Sequence, residues 1–199
     1  MEEFEMTPRT LTLDKVIAAA FAVADRDGFD GITLTKTAKQ LAVQPQSLYR
    51  YVKNTQDLQG KVLAQNLKTM VDQVYEQLIG LTGPAAVQRY MEMLAFGDYT
   101  LIAPHDYGSV AQYMTDPEVA KQYQRLYGIL PTLLETWLPD EAVRRRANQL
   151  LADYSLGESV AYRNNNQAPD EVRRDDYRRN VAALIDLLTA EVPNGLTTD

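Results

Sequence analysis

Cysteine is missing from all 199 residues, and histidine occurs once. Without cysteine there can be no disulfide, thiolate nucleophile or cysteine zinc site. One histidine cannot build a His-rich metal centre, although a carboxylate-assisted ion at His105-Asp106 stays open. That histidine would also be the only base for a Ser-His-Asp hydrolase, and Ser109, Ser155 and Ser159 lie in no nucleophile-elbow motif. No phosphate-cradling glycine loop is found. The chain has no apolar run of bilayer length. MEEFEMTPRT is acidic and lacks the basic and apolar regions of a signal peptide. Strand patterning, internal repeats and low-complexity linkers are missing as well. The expectation is a soluble, cytoplasmic, all-α protein that is not an enzyme, with no catalytic residues, no cofactor, no metal and no membrane partner.

The charge is uneven. The chain carries −7 overall. Residues 7–61 hold eight basic and five acidic side chains, a net of +3, while residues 1–6 contribute −3 through Glu2, Glu3 and Glu5. The remaining 62–199 therefore carry −7. A mildly basic module on an acidic body suggests one docking face for a polyanion rather than whole-surface coating.

Apolar spacing and caps predict about nine helices. Thr12 caps the first, whose stripe is Val16, Ile17, Ala20, Phe21 and Ala24, with Leu11 and Val16 placed as a hydrophobic staple and Gly28 as the stop. Thr33 caps a short helix to Leu41. Gln44 then precedes Pro45, which suits the first position of another short helix. Asn54 caps a long fourth helix that Gly80 ends. Further starts are expected at Thr82-Gly83-Pro84, Asp116-Pro117, Pro139-Asp140 and Pro169-Asp170. Pro104 should end the fifth helix or its trailing loop, with a short segment following around residues 108–114. Pro131 should kink or end the helix begun at Asp116, and Pro193-Asn194-Gly195 should stop the last one.

The stretch Leu41–Leu58, LAVQPQSLYRYVKNTQDL, carries the most information. It places Gln46, Ser47, Tyr49, Arg50 and Tyr51 on a small stiff helix beside another helix, the arrangement needed to enter a DNA major groove. Gln44, Gln46 and Ser47 lie at the start of that helix, where side chains reach base edges, and Gln can bond adenine bidentately. Arg50 can reach guanine or a phosphate. Lys53 and Thr55 at the start of the fourth helix, and Thr35 and Lys36 at the start of the supporting helix, can hold phosphates. Leu48 and Val52 read as core.

Residues 12–58 resemble the DNA-binding domain of the tetracycline-repressor (TetR) family. The ordered series is Ala19-Ala20-Phe21, Gly28-Phe29, Thr33, Ala38, Leu41, Val43, Leu48 through Asn54, and Leu58. The resemblance implies a helix-turn-helix domain at 8–56 and a helical ligand-binding and dimerisation domain at 57–199. It also places Tyr49 and Tyr51 where the family touches phosphates and thymine methyls. Three positions depart from the pattern. Ala42 replaces the usual turn glycine, Thr37 a common Ile or Leu, and Thr55 a frequent lysine.

By the same resemblance, the expected function is a ligand-responsive repressor. It would bind a palindromic double-stranded operator as a homodimer and be released by a small molecule. Met91, Phe96, Tyr99, His105, Tyr113, Tyr123, Tyr127 and Trp137 are the candidate ligand contacts, being adaptable or polar-tipped side chains concentrated between the fifth and seventh helices. Leu150, Tyr154, Gly157, Ala161, Val181, Leu184 and Leu188 fall on helical stripes that would either form a dimer interface or face their own core. The alternatives are a ligand-independent or partner-controlled DNA-binding protein of this fold and, least favoured, a helical enzyme or adaptor.

Overall fold

The computed structural model describes residues 10–97, 111–164 and 171–190. Among these there are eight α-helices, three short 3-10 segments and no strand. Two compact units divide the chain, residues 1–66 and 67–199.

In the first unit, α1 (Leu13–Asp27) starts where the Thr12 hydroxyl accepts the Lys15 N–H at 3.3 Å. It stops at Gly28, whose φ of 77° lies in the region that favours glycine. A 3-10 turn, Phe29–Gly31, leads to α2 (Leu34–Gln40), capped by Thr33 at 3.2 Å from the Lys36 N–H. The next element, Pro45–Arg50, is also a 3-10 helix. α3 (Thr55–Leu78) begins in this unit with reciprocal capping. Asn54 Oδ1 accepts the Asp57 N–H at 2.8 Å, and Asp57 Oδ2 accepts the Lys53 N–H at 2.7 Å. Val16, Ala20, Val23, Ile32, Ala38, Leu48, Val52, Leu58 and Val62 form the core.

Two of the three departures from the family pattern are visible as local defects. Ala42 takes φ 55°, a left-handed conformation that penalises a Cβ. Thr37 is fully buried and its hydroxyl has no hydrogen-bond partner. The left-handed cost for Ala, ~1–2 kcal/mol, exceeds glycine's extra chain entropy, so Ala42→Gly should stabilise the unit by ~0.5–1 kcal/mol. Val keeps the β-branch and volume of Thr without an unsatisfied hydroxyl, so Thr37→Val should add ~1 kcal/mol. Denaturant midpoints check both, and a lower midpoint in either variant would contradict its assignment.

In the second unit, α4 (Gly83–Phe96) is the central element. It packs against α6 (Ile129–Glu135), α7 (Glu141–Asn164) and α8 (Glu171–Ala190), and buries Ala86, Val87, Tyr90, Met91, Met93, Ala95 and Phe96. Pro84 opens the helix as expected, but the Thr82 side chain makes no capping bond. α5 (Pro117–Tyr127) is capped by Asp116, whose carboxylate accepts the N–H groups of Glu118 and Val119. Asp140 does the same for α7 through the Val143 N–H at 2.8 Å.

The break expected at Pro131 falls instead at Gly128. Its N–H meets the Gln124 carbonyl at 2.9 Å, and a Cβ there would come equally close to that oxygen. Pro131 sits in the first turn of α6, where no intrahelical N–H is required. The stops expected at Pro104 and Pro193-Asn194-Gly195, and the start at Pro169-Asp170, lie outside the described residues.

Candidate nucleic-acid interface

The element Pro45–Arg50 presents side chains with a period of three, because it is a 3-10 helix in which i and i+3 eclipse. Its bonds run from Ser47 N–H to Gln44 O and from Tyr51 N–H to Leu48 O. One edge, Pro45–Leu48–Tyr51, turns inward, and Leu48 is fully buried. The second edge carries Gln46 and Tyr49, both exposed, with Tyr49 at 60%. The third carries exposed Gln44, half-buried Ser47 and exposed Arg50. A helix held by one apolar edge thus offers two polar edges outward.

The two tyrosines therefore separate. The Tyr51 hydroxyl donates to the Leu11 carbonyl at 2.5 Å and the ring is half-buried, so this side chain ties the 3-10 helix to the approach to α1. Tyr49 keeps its ring and hydroxyl outward. The phosphate candidates divide in the same way. Lys53 and Thr35 are exposed, and the Lys53 side chain makes no ion pair among the described residues. Lys36 is exposed, but its ammonium lies 2.9 Å from Asp27. Hydrogen bonds from Arg26 and then Lys36 hold the Asp27 carboxyl well below the usual carboxylate range.

Thr55 is half-buried at the start of α3, where Asp57 occupies the positive helix end. Partial burial pushes the Asp57 carboxyl up, but the Lys53 N–H and the Lys61 ammonium at 3.0 Å outweigh it and hold the group below its ordinary value. A phosphate there would meet this carboxylate, which makes Lys53 the better anchor of the two.

In the body, the candidate ligand contacts scatter. Met91, Phe96 and Tyr113 are buried, Tyr123 and Trp137 half-buried, and Tyr127 exposed. Tyr99 and His105 lie outside the described residues. Tyr123 and Tyr127 form a ring pair on α5 with centroids 4.2 Å apart. Met91 and Phe96 join a cluster that the sequence reading missed. The Tyr177 hydroxyl sits 2.5 Å from Ser155 Oγ and donates to the Met91 carbonyl at 3.0 Å. Its ring stacks on Tyr154 at 5.2 Å and meets Phe96 edge-on at 5.0 Å. Arg174 lies over the Phe96 ring. On the rim, the Glu92 carboxylate receives Arg178 at 2.7 Å.

The dimer-stripe residues also divide. Val181 and Leu188 are buried in the body's own core, while Tyr154 and Leu184 are half-buried. Leu150, Gly157 and Ala161 are exposed. The inner face of α7 instead runs Val143, Ala147, Leu151, Ser155, Ser159. Two serines disguise it as polar, but both hydroxyls are bonded, Ser159 to the Leu156 carbonyl at 3.0 Å. The outer faces of α7 and α8 add Leu156, Val172 and Leu187, exposed by 47%, 67% and 58%, which the sequence reading had not singled out.

A helix-turn-helix unit with an anchored, outward-facing polar helix, joined in sequence to an all-helical body, has the fold of the TetR family of transcription regulators. The transcriptional regulator FadR from Bacillus subtilis, solved in complex with stearoyl-CoA, superposes with a TM-score of 0.59 at 17% identity, over 91% of this chain and 100% of that one. The TetR-family repressor AlkX from Dietzia sp. strain DQ12-45-1b gives 0.51 at 15% identity, over 92% and 97%. By sequence, the chain is 29% identical over 83 residues to the uncharacterized HTH-type transcriptional regulator YobS of Bacillus subtilis, covering 41% of this chain and 44% of that protein. It is 46% identical over 43 residues to the HTH-type transcriptional repressor DrrR1 of Streptomyces coeruleorubidus, covering 22% and 16%. The chain thus matches less than half the length of these curated relatives. No family model matches it. No helix among the described residues is long and apolar enough to cross a membrane.

Proposed function

We propose that this chain is a DNA-binding transcriptional regulator, acting as a repressor that grips a palindromic operator as a homodimer and is released by a small molecule. It is a binding protein and not an enzyme. The observation that carries the reading is the recognition helix itself. Leu48 and Val52 are buried while Gln44, Gln46, Tyr49, Arg50 and Lys53 stand exposed, a pattern that stability alone does not require. Gln44, Gln46 and Ser47 read base edges, with Arg50 on guanine or phosphate. Tyr49, Lys53, Thr35 and Lys36 hold the backbone. Residues 8–56 make up the DNA-binding domain, and 57–199 bind the effector and dimerise.

The dimer surface is the outer face of α7 and α8, built on Leu150, Leu156, Gly157, Ala161, Val172 and Leu187. Large apolar side chains exposed on adjacent helices favour burial against a second copy. The effector contacts centre on Met91 and Phe96, where ring faces meet hydroxyls. Such a lining suits a ligand with an apolar body and a hydrogen-bonding group. The stearoyl-CoA bound by FadR is of that kind. Release follows if the ligand shifts the spacing of the two recognition helices away from the ~34–36 Å that successive major grooves demand.

Fluorescence-anisotropy binding to DNA from the gene's own upstream region, against scrambled DNA at near-physiological salt, tests the proposal. Selective binding with two protomers per palindrome is expected. Equal affinity for both DNAs by ligand-stripped protein, followed by a genome-wide selection that enriches no motif, would sink it.

A further inference from the structure

One carboxylate in the first unit holds two cations at once. Arg26 donates to Asp27 through two bonds, Nε to Oδ1 at 2.9 Å and Nη2 to Oδ2 at 3.1 Å, and the Lys36 ammonium lies 2.9 Å from the same Oδ2. Arg26 and Asp27 end α1, whereas Lys36 lies in the first turn of α2. Gly31 leaves room for this meeting, since a Cβ there would stand 2.5 Å from the Asp27 Cβ and 3.7 Å from the Lys36 Nζ. The carboxylate is the inner member, its side chain 23% exposed against 58% for Arg26 and 46% for Lys36. With two positive groups and one negative, the triad carries +1 and turns its cations outward. Both nitrogens bind one oxygen, so the 3.1 and 2.9 Å legs laid end to end put them at most 6.0 Å apart. Two cations that close can donate to two oxygens of one phosphate, each at ~2.7–2.9 Å.

We propose that Arg26 and Lys36 clamp one DNA phosphate and that Asp27 is the positioning residue of the clamp. The proposal rests on the DNA-binding reading above, which sets Lys36 on the backbone. It adds Arg26, which the sequence pattern does not single out, and gives Asp27 a role. An isolated surface ion pair orders little, but a bidentate arginine within a network is held in one geometry. The side-chain entropy of two long cations is therefore lost on folding and not again on binding DNA. The outward cations also stand between the carboxylate and an approaching phosphate, so ordering outweighs repulsion. The consequence has a sign that net charge alone does not predict. Neutralising Asp27 weakens DNA binding, although it removes a negative charge.

The test measures binding of full-length protein to a labelled arbitrary duplex of about 20 base pairs over a salt series. Arg26→Gln and Lys36→Gln should each weaken binding about three- to tenfold and lower the slope of log K against log salt by up to ~2 per dimer. Asp27→Asn should weaken it about three- to fivefold, whereas Asp25→Asn, the same change in net charge outside the triad, should leave affinity level or slightly raised. In an Arg26→Gln/Lys36→Gln background the effect of Asp27→Asn should reverse, because the remaining carboxylate then only repels phosphate. Tighter binding by Asp27→Asn alone would overturn the positioning role in favour of competition. Weaker binding in both backgrounds would overturn it in favour of a purely structural role. No effect of Arg26→Gln, while Lys53→Ala still weakens binding, would overturn the clamp and leave the DNA reading standing. Failure of every protein to bind duplex at low salt would overturn both.

Discussion

Lys53→Ala and Tyr49→Ala should each weaken binding to every DNA sequence tested while leaving helix content and unfolding midpoint unchanged. Both side chains are exposed, Tyr49 by 60%, and neither supports the core. A phosphate contact carries no sequence information, so operator and scrambled DNA should lose affinity together. Each lysine–phosphate contact contributes ~0.9 to the slope of log K against log salt, and a dimer loses two. For Lys53→Ala the slope should therefore fall by ~2 per dimer, with affinity down by about tenfold or more near physiological salt. Tyr49→Ala should lower affinity without so large a change in slope, since a phenol releases no counterion. Gln46→Ala provides the contrast. It should change which bases are selected, by ~1–3 kcal/mol at one position, and hardly touch arbitrary duplex. Unchanged affinity and slope in both phosphate variants would remove these contacts from the interface, and an unaltered selected motif would remove Gln46 as a reader.

Tyr177→Ala should cost ~3–5 kcal/mol, a large fraction of the ~5–15 kcal/mol that stabilises an ordinary domain. The ring is 2% exposed, stacked on Tyr154 and set edge-on to Phe96. Its hydroxyl joins Ser155 to the Met91 carbonyl. Tyr177→Phe keeps the ring and removes only the bridge, so it should cost ~1–2 kcal/mol.

The same burial predicts alkaline sensitivity. Desolvation pushes the phenols of Tyr177 and Tyr90 well above the ordinary tyrosine range, and for Tyr177 the Ser155 bond only partly opposes it. Because the folded values are raised, their contribution is fully present below the unfolded pKa of ~10. Above that pH the unfolded chain releases protons that the native state retains, so stability falls by ~1.4 kcal/mol per pH unit for each phenol. Denaturant unfolding at a series of pH values up to ~11 would show the decline. A Tyr90→Phe/Tyr177→Phe protein should show a shallower one, and an identical alkaline slope would contradict the assignment.

Much of this was legible in the chain itself. Thr12, Thr33, Asn54, Asp116 and Asp140 fix where helices start because short polar side chains satisfy end N–H groups wherever they precede apolar periodicity. Gly28 fixes one end through its positive φ. These effects act over three or four residues, so sequence reading finds them. The all-α class and the polar character of residues 44–53 follow from the same short-range rules.

Other features depend on contacts between residues far apart in the chain, and only the tertiary structure decided those. Tyr49 and Tyr51 are the same residue type two positions apart, yet one faces out and the other holds Leu11, forty residues away. Residue identity cannot separate them without the 3-10 winding that sets three side-chain edges. Ser155 and Ser159 are polar by type, yet both lie on the buried face of α7 because their hydroxyls are satisfied there. Val181 and Leu188 fall on a stripe whose spacing suits a dimer seam or the body's own core equally, and their burial places both in the core. Local spacing determined which residues could share a face. Burial, which sums contacts across the whole unit, determined which way that face turned.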